Sequence, residues 1–102
     1  MVYTAKDDEE GDPLFDWDEH NLAHVRENDV EPDEVEEAVL DPGRIGAPAY
    51  NLGQERRWAL LGATEEGRIL FVVYTRRRGL VRIVTARDAT PNERRRYRKR
   101  GK

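Results

Sequence analysis

The residues best equipped for chemistry in this 102-residue chain are arginines set where arginines are costly. Arg82 interrupts the apolar run Leu80 to Ala86, and by strand alternation it shares a face with Leu80, Val84 and Ala86. Arg87 follows directly. A guanidinium on a largely apolar face calls for an anionic ligand or a carboxylate partner. Further on, Tyr97 lies one helical turn from Glu93 and Arg94 on one side and from Arg100 on the other, with Arg98 beside it. A ring among guanidinium groups suits RNA, whose bases stack and whose phosphates need neutralising. The same pattern also describes a solvated cationic helix that Tyr97 anchors to a sheet. Upstream, Glu55 and Arg57 share one strand face while Arg56, Trp58 and Leu60 share the other. His20 and His24 have i,i+4 spacing, which can bind zinc, but no cysteine and no third ligand accompany them, so no metal is assigned.

The charges are segregated. Residues 1–42 hold 16 Asp/Glu and 2 Lys/Arg, a balance of −14, whereas residues 43–102 hold 5 Asp/Glu and 16 Lys/Arg, a balance of +11. The whole-chain charge of −3 conceals a basic half suited to an anionic partner and an acidic half that solvates or shields. No disulfide framework or thiolate metal site is possible without cysteine, and serine is absent too. No stretch reaches membrane-spanning length and no signal-peptide pattern opens the chain, so a cytoplasmic location without membrane partners is the expectation. Neither a G-x-G-x-x-G nor a phosphate-cradling P-loop occurs.

The elements that must hold these residues are well marked. Residues 1–13 read as an acidic tail (Asp7, Asp8, Glu9, Glu10, Asp12) and residues 14–102 as a single domain. Phe15 and Trp17 alternate with Asp16 and Asp18 as a short edge strand or an extended entry to the first helix. Asp18 caps a first helix that runs to about Asn28, with Asn21, His24 and Asn28 on one polar stripe and Leu22 and Val25 beginning the apolar face. A second helix begins at Pro32, stapled by Val30 and Val35, and stops at Asp41-Pro42-Gly43. A weak strand over Arg44 to Ala49, the loop Tyr50 to Gln54, and strands over Glu55–Gly62, Ile69–Thr75 and Leu80–Ala86 follow. Hairpins at Ala63–Gly67 and Arg76–Gly79 join the last three. Thr90, Pro91 and Glu93 open a short basic C-terminal helix with a capping box. Two N-terminal helices, an antiparallel meander of about four strands and a terminal helix make an α+β fold.

In their order and spacing, F-D-W-D, V-E-P-D-E-V-E-E-A-V-L-D-P, E-R-R-W-A-L-L-G, T-E-E-G-R-I-L-F-V-V-Y-T, V-R-I-V-T-A-R and E-R-R-R-Y resemble the BrnT family of type II toxins. The resemblance spans about Phe15 to Arg98. It implies a RelE-type fold and a metal-independent endoribonuclease that arrests translation, with no cofactor. The implied partners are an RNA substrate and a cognate ribbon-helix-helix antitoxin, which reaches operator DNA on the toxin's behalf. It also points to Glu55, Arg56, Arg82, Arg87, Arg94 and Tyr97 as site residues. Where the family usually carries a basic residue, histidine and glycine, this chain has Glu27-Asn28-Asp29. His24, one turn earlier, is then an alternative proton-transfer group.

On this reading Glu55 or His24 activates the ribose 2′-OH, and Arg82 and Arg87 hold the scissile phosphate. Tyr97 stacks a base or delivers a proton, while Arg56, Arg77, Arg94 and Arg98 contact the RNA. A catalytically weakened homologue that binds RNA or antitoxin, and a plain interaction domain whose basic half docks an acidic partner, remain the alternatives.

Overall fold

Each helix begins where a side chain can cover its free amides. Asp18 Oδ1 accepts from the backbone amides of His20 and Asn21, both at 3.0 Å, and opens α1 (Glu19–Glu27). Pro32 at the first position starts α2 (Pro32–Val39), and the Thr90–Glu93 capping box starts α3 (Pro91–Arg98). Between α2 and α3 run β1 (Ile45–Ala47), β2 (Trp58–Ala63), β3 (Ile69–Arg77) and β4 (Leu80–Asp88), paired antiparallel in the order β1-β2-β3-β4. This is the α+β meander that the pattern predicts. The computed structural model describes residues 14–49 and 55–100. The expected acidic tail of residues 1–13 and the loop expected from Tyr50 to Gln54 lie outside the described residues.

β3 continues two residues past its expected end, because the turn to β4 is only Arg78-Gly79. Both residues have positive φ, 55° and 79°, as a two-residue hairpin requires. The segment entering α1 lies along the outer edge of β4. Phe15 makes a parallel bridge to Val81, and the Val81 amide donates to the Leu14 carbonyl at 2.9 Å.

The two faces of the sheet are covered unequally. On one, Leu60, Leu70, Val72, Val81, Ile83 and Ala86 pack against Val25, Val30, Val35, Ala38 and Val39 of the first two helices and their link. α2 approaches so closely that a Cβ on Gly62 would lie 2.1 Å from the Ala38 carbonyl oxygen. On the other face α3 covers one end only, where Leu61 and Ile69 meet Ala89 and Tyr97. The opposite end of that face carries the polar ends of β2, β3 and β4.

The expected alternation along β4 needs correction. Arg82 pairs with Thr75, Ile83 with Tyr74, and Thr85 with Val73, so the register shifts by one residue at Val84. A bulge of this kind resets which side chains point to which face. Arg82 therefore shares a face with Leu80 but not with Ala86, which lies on the helix-covered face. Arg87, which a regular strand would turn the other way, comes to the same face as Arg82, since their partners Phe71 and Thr75 are four residues apart.

Candidate active site

The open end of the sheet forms a recess of about 140 Å³, with Glu55, Arg57, Thr75, Arg77 and Arg82 in its lining. His20 and Asn21 border it from α1. Strand alternation supplies Glu55 and Arg57 from the approach to β2, and Arg77 and Thr75 from β3. The Glu55 carboxylate is 3.4 Å from Arg57 Nη2 and 3.6 Å from Arg77 Nη2. Two larger hollows, about 290 and 320 Å³, lie between α2 and the β2–β3 turn and are lined by acids including Glu37 and Glu65. Their charge repels phosphate, whereas the arginines of the smaller recess attract it. Among the described residues, no group of three or more His, Asp or Glu is placed to hold a metal ion.

Arg82 is held from the outside. Its Nη2 donates to Asp18 Oδ2 at 2.9 Å and its Nη1 lies 3.4 Å from Asp16 Oδ2, with only 14% of the side chain exposed. These acids, rather than Asp88 or an acid of α2, are the carboxylate partners its apolar sequence context demands. Asp18 serves two elements: Oδ1 caps α1 and Oδ2 orients Arg82. The Asn21 amide holds its carboxyl below the ordinary carboxylate range, with burial pushing the other way and the Arg82 guanidinium lowering it further. Asn21, expected on a polar stripe, is 2% exposed. It donates to the Ile83 and Asp16 carbonyls and accepts from the Asp18 amide, which fastens the start of α1 to β4 beside Arg82.

Several expected site residues stand elsewhere. Arg87 is on the same sheet face as Arg82 but four ladder positions away, about 13 Å at the usual strand rise. It stacks 4.2 Å over the Phe71 ring and makes paired hydrogen bonds of 2.9 and 3.1 Å to Glu93. The two guanidinium groups thus face separate carboxylates, Arg82 those of Asp16 and Asp18 and Arg87 that of Glu93. Tyr97 is 7% exposed, its hydroxyl donates to Asp41, and Arg100 covers its ring at 3.8 Å. The ring is thereby covered by Arg100 rather than presented to solvent. Burial raises the Tyr97 hydroxyl pKa, and the Asp41 carboxylate raises it further.

Arg56 lies 5.7 Å from the Trp58 ring, away from the recess, and Arg57 takes the place expected for it. Arg94 donates to the Ala89 carbonyl at 2.7 Å, and Arg98 is exposed on α3. His24 is exposed and does not line the recess, which takes His20 instead. Asn28, where the resemblance leads to a histidine, donates to the Ala86 carbonyl at 2.9 Å, and Asp29, in place of a glycine, has φ 62°. Arg57 and His20 were legible as types but not as neighbours. Their shared recess depends on how α1 is fastened to β4.

The family model of the BrnT ribonuclease toxin of type II toxin–antitoxin systems matches residues 17–93. The chain belongs to the BrnT family. No curated protein matches it closely enough to serve as a relative. The matched span contains the recess residues Glu55, Arg57, Arg77 and Arg82 and ends before Arg94, Tyr97 and Arg98. Membership of this BrnT family makes RNA the substrate class and an antitoxin the partner. Among the described residues no helix is long and apolar enough to cross a membrane.

Proposed function

We propose that the chain is a metal-independent endoribonuclease whose active site is the recess around Glu55 and Arg82. The observation that carries this reading is one carboxylate and three guanidinium groups, those of Arg57, Arg77 and Arg82, around a hollow open to solvent. Metal-free cleavage needs a base for the ribose 2′-OH, positive charge on the phosphate oxygens and a proton for the leaving 5′ oxygen. In this reading Glu55 takes the 2′ proton, and Arg82, bound to Asp16 and Asp18, stabilises the phosphate as charge builds on it. Arg77 and Arg57 widen the cationic surface, while Arg87 contacts a neighbouring part of the strand. The partner antitoxin in this reading is a ribbon-helix-helix protein that carries the toxin to operator DNA.

A long single-stranded RNA incubated with the protein and EDTA tests the proposal. Products ending in 2′,3′-cyclic phosphate and 5′-hydroxyl, lost in Arg82→Ala, are the expected outcome. Requirement for a divalent ion would overturn it. The commitment of Asn28 to the Ala86 carbonyl favours a second reading, a weakened homologue that binds without cutting. Salt-sensitive RNA binding with no cleavage would select that reading.

A further inference from the structure

We propose that His20 is the general acid of this recess, the group that protonates the leaving 5′ oxygen. The inference rests on the ribonuclease reading above and names the proton donor that the reading requires.

The side chains lining the recess narrow the choice. Arginine does not release its proton in a protein, and threonine and asparagine side chains are not proton donors of useful strength near neutrality. Of the lining residues, that leaves Glu55 and His20 to move protons. Glu55, beside two guanidinium groups, is the acceptor. Imidazole is the side-chain type that both holds and releases a proton near neutral pH.

The position of His20 is also set by the fold. Asp18 Oδ1 accepts from the His20 amide while Oδ2 binds Arg82, so one carboxylate fixes the imidazole's backbone and the phosphate-binding guanidinium together. Asn21, the next residue, is hydrogen-bonded to the Ile83 carbonyl at 3.1 Å, directly after Arg82 in β4. The first turn of α1 is thereby bolted across the strand edge, and His20 stands at the rim of the recess.

In the step itself the 2′ oxygen gives its proton to Glu55 and bonds to phosphorus. The bond from phosphorus to the 5′ oxygen breaks, and that oxygen takes the proton from the His20 imidazolium. The products are a 2′,3′-cyclic phosphate and a 5′-hydroxyl. Glu55 ends protonated and His20 neutral, and exchange with water restores both.

The test uses the full chain and two short RNAs that differ only in the bridging 5′ atom at the cleaved linkage, oxygen or sulfur. A thiolate leaves without needing a proton. His20 is exposed, so His20→Gln leaves the core untouched. With the oxygen-bridged RNA, His20→Gln should lose about 100-fold or more in rate, and with the sulfur-bridged RNA less than about 3-fold. Glu55→Gln should lose rate on both.

Equal losses for His20→Gln on the two RNAs, or no loss on the oxygen-bridged one, would overturn the assignment while the Glu55 effect left the recess reading standing. The leaving-atom signature in His24→Gln instead would overturn it as well. If Glu55→Gln and Arg82→Ala change neither rate, or the unaltered chain cuts neither RNA, the recess reading fails and takes His20 with it.

Discussion

The two ends of one sheet face use the same kinds of side chain to opposite effect. At the end under α3, Asp41 accepts from the Ala63 and Gly43 amides, both at 2.8 Å, and from the Tyr97 hydroxyl, with Arg100 capping the ring. At the other end Glu55 faces Arg57 and Arg77 at 3.4 and 3.6 Å, and Arg82 leans on Asp16 and Asp18. The first carboxylate is committed to backbone donors and a buried hydroxyl, so it ties α3 and the turn after α2 to β2. The contacts of Glu55 are long side-chain pairs, which are weak and readily exchanged for a phosphate. The distinction between the Asp41 latch and the Glu55 carboxylate is therefore one of hydrogen-bond commitment and cover, not of residue type.

The largest effect expected from breaking this contrast is at Arg82. Arg82→Ala should lower RNA cleavage by about 10²–10³-fold. Denaturant titration should show only a small fall in stability, because the Asp18 carboxylate left behind is half exposed and can be solvated. Tyr97→Phe should do the reverse, costing about 1 kcal/mol of stability for the lost hydrogen bond and leaving cleavage nearly intact. A hundredfold fall in its cleavage rate would erase the division between the two ends.

The latch should also show in acid. Burial works against the charged form of Asp41, but hydrogen bonds from Tyr97 and the Ala63 and Gly43 amides, with the charge of Arg100, outweigh it and hold the carboxyl below its ordinary value near 3.8. A lowered folded-state pKa contributes stability above the unfolded value, and that contribution disappears as pH falls through the folded one. Unfolding measured from pH 5 downward should therefore show less acid sensitivity in Tyr97→Phe than in the unaltered chain. The smallest effect is expected at Arg87, whose guanidinium is 40% exposed and bound to Glu93. Arg87→Ala should reduce cleavage by less than about tenfold and stability by under about 1 kcal/mol. A loss equal to that of Arg82→Ala would mean that both arginines grip one phosphate after all.

Local signals carried most of the architecture. Asp18 and the Thr90–Glu93 box mark helix starts through hydrogen bonds made within a few residues, and Pro32 through its fixed φ; the three helices of the described residues begin there. The apolar runs of β3 and β4 and the hairpin glycines likewise act at short range, so the order of strands could be read directly. The family resemblance points to Glu55 and Arg82 as site residues, but no local pattern sets Arg77 beside them; the recess does. Tyr97 and His24 stand apart from the recess because their places turn on contacts between distant segments, whereas Arg56 stands apart by strand parity, beside Trp58 two residues on. Tyr97 meets Asp41 across 56 residues of chain, and Asn21 reaches the Ile83 carbonyl across 62.

By itself the sequence determined the element types, their order, the segregation of charge and the pool of arginines able to hold RNA. The tertiary structure alone decided which of them face each other. A single extra residue at Val84 shifts the alternation of β4, and the fastening of α1 to that strand selects His20 over His24. Both depend on pairing energies between segments far apart in the chain, which no local pattern of side chains records.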